Sequence, residues 1–139
     1  MNLLEQALNT RIDHLASKIP HWITPTHNFY DSDTFLDEIE KYTYCDVITL
    51  SVFKHFPIPI RRCICTIPNN TTHCLKVKVY SDVHAKLYIC YDRKDKHKAS
   101  FIGSANAHSG YFRELMYKLP DPDDIYAKDY FDKLWKANS

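Results

Sequence analysis

The chain has 139 residues, of which 45% are hydrophobic and 25% charged, with a formal net charge of +1. That is enough chain for one domain with a real core, and too little net charge to draw in a polyanion by a global field. Two glycines and seven prolines exclude a low-complexity or linker-dominated chain, and no apolar run approaches the length that spans a bilayer.

The opening MNLLEQALNTRIDHLASK lacks a basic flank followed by an apolar core, so no signal peptide is expected. Leu3, Leu4, Ala7, Leu8, Ile12, Leu15 and Ile19 fall at helical spacing and predict a first helix ending before Pro20. A polar segment from His21 to Asp31 follows, anchored by Trp22 and Phe29. Asp33 is the expected N-cap of a short helix over 34–41. Residues 47–53 read as a buried strand. Pro57 and Pro59 then break the chain, leaving no room for the crossover helix that a parallel partner would want.

Residues 62–67 and 75–80 are expected strands on either side of a Pro68-Asn69-Asn70 turn. Five cysteines, an odd number without a secretory signal, imply reduced thiols and a cytoplasmic location. Cys63, Cys65 and Cys74, with His73, match no common zinc spacing and read as a buried apolar face; no metal and no cofactor are expected. Residues 83–89 and 99–102 form two further strands, and 114–119 one more. Asp121-Pro122-Asp123-Asp124 predicts a helix start with Asp121 as N-cap and Pro122 at the first helical position. Ala127, Tyr130, Phe131, Leu134 and Trp135 form the buried stripe of that closing helix. The expected fold class is α/β: a mixed sheet flanked by helices in a single domain over 1–139, with an N-terminal helix and extension over 1–31 and a core over 46–135.

Chemistry concentrates in two short runs. His84 and Lys86 stand two apart on strand-like sequence and so point from one face, while Val83, Ala85, Leu87 and Ile89 line the other. The strand over 99–102 runs into Gly103-Ser104-Ala105-Asn106. If the two strands pair, a nucleophile, an ammonium, a hydroxyl and an amide converge. Such a set can hold a phosphate through preorganised donors and attack it through a neutral imidazole. Gly103 would let backbone approach the phosphate without a Cβ in the way, and a carboxylate on the other imidazole nitrogen would fix its tautomer, with Glu114 as the candidate.

HAKLYI…FIGSAN resembles the HxK…GSxN signature of the phospholipase D superfamily, over a stretch spanning Asp46 to Trp135. The ending Tyr130-Phe131-Asp132-Lys133-Leu134-Trp135 is similar to that of its nuclease-type members. Two departures stand out. Tyr91 occupies the position where many members carry an Asp, which argues against a lipase more than against catalysis. Glu114 matches the acidic residue found after the serine, but the Asn often just before it is missing.

The resemblance implies a metal-independent phosphodiesterase acting through a phosphohistidine on His84, with Lys86, Ser104, Asn106 and Glu114 as its partners. The superfamily uses two motif copies and this chain has one, so a homodimer sharing one active site on its two-fold axis is the simplest completion. Basic residues cluster at Arg93, Lys94, Lys96 and Lys98, in the connection between the motif strands, where they are expected to lie near the active-site edge and hold substrate phosphates. Nucleic acid is therefore the expected substrate, DNA before RNA, with no membrane partner. The alternatives are a lipid-directed enzyme of the same superfamily and a catalytically silent nucleic-acid-binding or inhibitory protein.

Overall fold

In the computed structural model, residues 28–52, 55–107 and 114–137 are described. The expected first helix, the anchor at Trp22 and the end of the 47–53 strand at Phe53 lie outside them. In chain order the elements are β1 (Phe29–Tyr30), α1 (Ser32–Ile39), β2 (Tyr44–Thr49), β3 (Ile60–Cys65), a 3₁₀ turn (Thr71–His73), β4 (Cys74–Val79), β5 (Leu87–Tyr91), β6 (His97–Gly103), β7 (Met116–Lys118) and α2 (Asp123–Ala137). The seven strands form one mixed sheet in the order β1-β7-β6-β5-β2-β3-β4. This is the α/β architecture expected from the hydrophobic patterning. No helix among the described residues is long and apolar enough to cross a membrane.

Each face of the sheet carries one apolar layer. On one side Phe35 and Ile39 of α1 pack over Val47, Cys63, Tyr88, Cys90 and Phe101. On the other, Ala127, Tyr130 and Phe131 of α2 cover Ile48, Ile64, Leu87, Ile89 and Ile102. Strands covered on both faces read as continuous apolar runs, and all five residues of β5 are buried. Cys63 and Cys65 are buried in the first layer, as their strand pattern implied.

Helix α1 starts earlier than expected. Asp31, not Asp33, is its N-cap: the Asp31 carboxylate accepts the Thr34 backbone N–H at 2.9 Å, and this bond lowers the Asp31 pKa. Asp33 instead joins the first turn, where its charge meets the positive end of the helix. Helix α2 begins after Pro122, whose carbonyl accepts from Ile125 and Tyr126. Pro122 therefore stands outside the first helical position and Asp121 precedes the cap.

The largest departure concerns β2 and β3, which run parallel. The return path has only to span one strand, about 20 Å for six residues. The ten residues of the 50–59 connection reach about 33 Å when extended, so no helix is required. The connection from β3 to β4 also returns for parallel pairing rather than closing a hairpin at Pro68-Asn69-Asn70. Asn70 takes a left-handed conformation there, with φ of 57°, one of the residue types that tolerate it.

A register shift between Cys45↔Ile60 and Asp46↔Arg62 makes Arg61 the extra residue of a β-bulge. The bulge turns both Arg61 and Arg62 toward Asp46. Arg61 donates from Nε at 3.0 Å and Nη2 at 2.5 Å, and Arg62 from its backbone N–H at 3.2 Å and Nη2 at 2.6 Å. Arg62 also pairs with Asp132 of α2 at 2.7 Å, and Lys128 bonds the same carboxylate at 2.8 Å. The two guanidiniums lie on aromatic faces, Arg61 over Tyr91 and Arg62 over Phe131. This cluster clamps β2, β3 and α2 together.

His97 at the start of β6 contributes a pH dependence. Its Nε2 lies 2.8 Å from Ser100 Oγ, whose own hydrogen goes to the Asp124 carbonyl at 2.9 Å. Burial holds the His97 pKa below 6.5. The unfolded chain then binds more protons, so stability is lost as pH falls from just above 6.5 through the lowered value. The urea midpoint is expected to drop between pH 7.5 and pH 5.5. His97→Gln, which keeps a donor without a titrating ring, is expected to shrink that drop.

Candidate functional site

The pairing of β5 with β6 brings the two motif runs together. Leu87 pairs with Ile102, and the Gly103 N–H donates to the Lys86 carbonyl at 3.3 Å. Residues 83–86 precede the strand proper rather than forming part of it. They still alternate: His84 is exposed and Lys86 partly exposed, while Ala85 and Leu87 are buried. The alternation is imposed by the apolar layer under α2, which Ala85 and Leu87 enter. Lys86 Nζ rests on the His84 carbonyl at 2.8 Å, so reaching a phosphate would cost the ammonium one exposed hydrogen bond.

The Gly-Ser-Ala-Asn run is held on three sides. Ser104 bonds the backbone of Leu115 three times, donating its N–H at 3.1 Å and its hydroxyl at 3.4 Å to the carbonyl and accepting the Leu115 N–H on Oγ at 3.0 Å. The buried Tyr88 hydroxyl donates to the Ala105 carbonyl at 2.6 Å. Asn106 Oδ1 accepts the Leu50 N–H at 2.9 Å, which leaves the amide nitrogen as the donor end of the side chain. Thr49 accepts the Ala107 N–H at 2.9 Å on its buried hydroxyl. Tyr88 and Thr49 are positioning residues that the motif reading did not include. Their signal is a polar atom on otherwise apolar strands, since a buried hydroxyl must find a partner.

Gly103 is required by protein backbone. A Cβ there would lie 2.2 Å from the Leu115 carbonyl oxygen and 3.0 Å from Met116 Cα. The close approach it permits is that of the chain entering β7. Glu114 lies next to Leu115 at this same end of the sheet, and its N–H donates to Ser32 Oγ at 3.2 Å. Burial raises the Tyr88 pKa well above its ordinary value, and the nearby Cys45 and Glu114 add to the shift.

His84, Lys86, Ser104, Asn106 and Glu114 thus gather where β2 and β6 end and β5 and β7 begin. The basic residues do not join them. Arg93, Lys94, Lys96 and Lys98 belong to the β5–β6 turn and its exit, and an antiparallel pair puts its turn at the opposite end from its free ends. Five residues of β5 separate the two ends, about 15 Å along the strand. The turn itself is ordered by Asp92, which accepts the N–H groups of Lys94 at 2.8 Å and Lys96 at 3.0 Å and has its pKa lowered by them. Lys98 pairs with Asp92 at 3.8 Å.

Among the described residues, no three His, Cys, Asp or Glu side chains are placed to hold a metal ion. No family model, curated protein or solved structure matches this chain.

Proposed function

We propose that the protein is a phosphodiesterase that cleaves nucleic acid internally, DNA in preference to RNA, through a phosphohistidine formed on His84. The observation that carries this reading is the meeting of His84-Ala85-Lys86 with Gly103-Ser104-Ala105-Asn106 at one sheet end, joined by the Gly103 N–H to Lys86 carbonyl bond. In this proposal the neutral His84 imidazole attacks phosphorus. Lys86, the Ser104 hydroxyl and the Asn106 amide nitrogen stabilise charge on the nonbridging oxygens. Glu114 holds the second imidazole nitrogen of His84. The departing oxygen takes its proton from a second histidine, and a two-fold axis through the site supplies His84 of the partner subunit for that role. Water then releases the phosphate from His84 with the same two histidines exchanging roles. The fold would be of the phospholipase D kind, with the homodimer part of the mechanism.

The test is cleavage of plasmid DNA and of single-stranded RNA in excess EDTA. Plasmid is expected to be nicked or cut without added metal, and the rate per chain to fall on dilution as the dimer dissociates. Activity restored only by magnesium would overturn the phosphohistidine reading. Absence of cutting under both conditions would favour a silent binder or a lipid substrate.

A further inference from the structure

The sheet end away from His84 carries a cleft of about 730 Å³, lined by Tyr44, Ile60, Arg61, Thr72, Leu75 and Asp95 among others. Its floor is apolar: Leu75 is 75% exposed there, an uncovered surface beside the buried Ile60. Its rim is polar and specific. Tyr44 OH donates to Asp95 Oδ1 at 2.8 Å and accepts from Arg61 Nη1 at 3.4 Å, so an acceptor and a donor flank one hydroxyl. The other guanidinium nitrogens of Arg61, Nε and Nη2, are committed to Asp46. Asp95 Oδ2 has no hydrogen bond among the described residues. Asp95 is held at φ of 62° in the turn that also presents the exposed Arg93, Lys94 and Lys96.

We infer that this cleft takes one unpaired guanine base of the nucleic-acid strand, with its phosphates on Arg93, Lys94 and Lys96. The inference rests on the nucleic-acid reading above and gives it a substrate preference. A flat base suits an open apolar floor, and lysines and arginines position phosphates while base edges carry specificity. Guanine alone among the common bases puts two N–H donors and a carbonyl on one edge. N1–H and the 2-amino group meet the Asp95 carboxylate, and O6 meets Arg61 Nη1. The cleft lies about 15 Å from the motif end by the strand spacing, so the base read is a few nucleotides from the bond cut.

The test measures binding apart from cutting. Fluorescein-labelled thymidine dodecamers carrying one central dG, dA, dC or deoxyinosine are titrated into the His84→Ala chain at fixed salt. The dG strand is expected to bind about tenfold tighter than the all-thymidine strand, the scale of one good bidentate base contact. Deoxyinosine, which lacks the 2-amino group, is expected to fall between them. Asp95→Asn, a residue that tolerates positive φ, is expected to erase the dG advantage without weakening all-thymidine binding, because it removes only a negative charge beside the basic turn. Equal binding of all strands, or an equal loss for all of them in Asp95→Asn, would overturn the guanine site and leave the nuclease reading standing. Absence of any strand binding would overturn both. Guanosine monophosphate binding without strand binding would assign the cleft to a free nucleotide and overturn its role in strand recognition.

Discussion

His84→Ala is expected to lose cleavage by about four orders of magnitude or more, the scale seen when a nucleophile that works as part of a unit is removed. His84 is exposed and outside the β5 ladder, and both apolar layers are built from other residues. The variant should therefore unfold at the wild-type temperature and bind strands as tightly as the parent. Initial rates on plasmid, with thermal unfolding of the same preparations, check both halves. A variant that cuts within tenfold of wild type would remove His84 from the mechanism. Loss of cutting together with loss of fold would leave the nucleophile assignment unsupported.

The second large effect concerns stability. Asp46 is fully buried and takes four hydrogen bonds from Arg61 and Arg62. Asp46→Ala strands two guanidiniums, one on a side chain only 16% exposed. Breaking a buried pair from one side costs about 3–5 kcal/mol, because the charge left behind has neither water nor a partner. For a chain of this length that corresponds to a fall in Tm of about 10 °C or more. Asp132 retains part of the charge balance for Arg62, which places the expected loss toward the lower end of the range. Scanning calorimetry of Asp46→Ala beside wild type decides it, and a shift under 2 °C would mean the cluster is not a clamp.

Much of the fold was legible because burial leaves a periodic trace. The stripe Ala127, Tyr130, Phe131, Leu134 and Trp135 predicts the covered face of α2; the first three are buried and the last two pack half-buried against the same layer. The alternation at residues 84–87 reports which side chains face outward even though the ladder begins only at Leu87. Pairing direction leaves no such trace. A strand buried on both faces reads alike in parallel and antiparallel pairs, and so the parallel run of β2 beside β3 could not be read from Tyr44–Thr49 and Ile60–Cys65. The bulge at Arg61 is also silent in the sequence, where Arg61-Arg62 resembles any surface pair until Asp46 lies between them.

Antiparallel geometry alone sets the distance between the basic turn and the motif ends, and nearness along the chain misplaces it. Lys94 lies eight positions after Lys86 in sequence, yet β5 carries it to the other end of the sheet. For the candidate site, the motif supplies His84, Lys86, Ser104 and Asn106, whereas Thr49 and Tyr88 emerge only from tertiary contacts. They act by hydrogen bonds to the backbone of Ala107 and Ala105, which no side-chain motif encodes.

The most direct test of the account is a rapid acid-free quench of wild-type protein reacting with excess strand, followed by mass mapping of the peptide containing His84. A phosphate-linked nucleotide or strand fragment on the His84 imidazole, stable to base, labile to acid and absent from His84→Ala, is the predicted result. Cleavage of the strand through successive turnovers with His84 unmodified at every time point would contradict it.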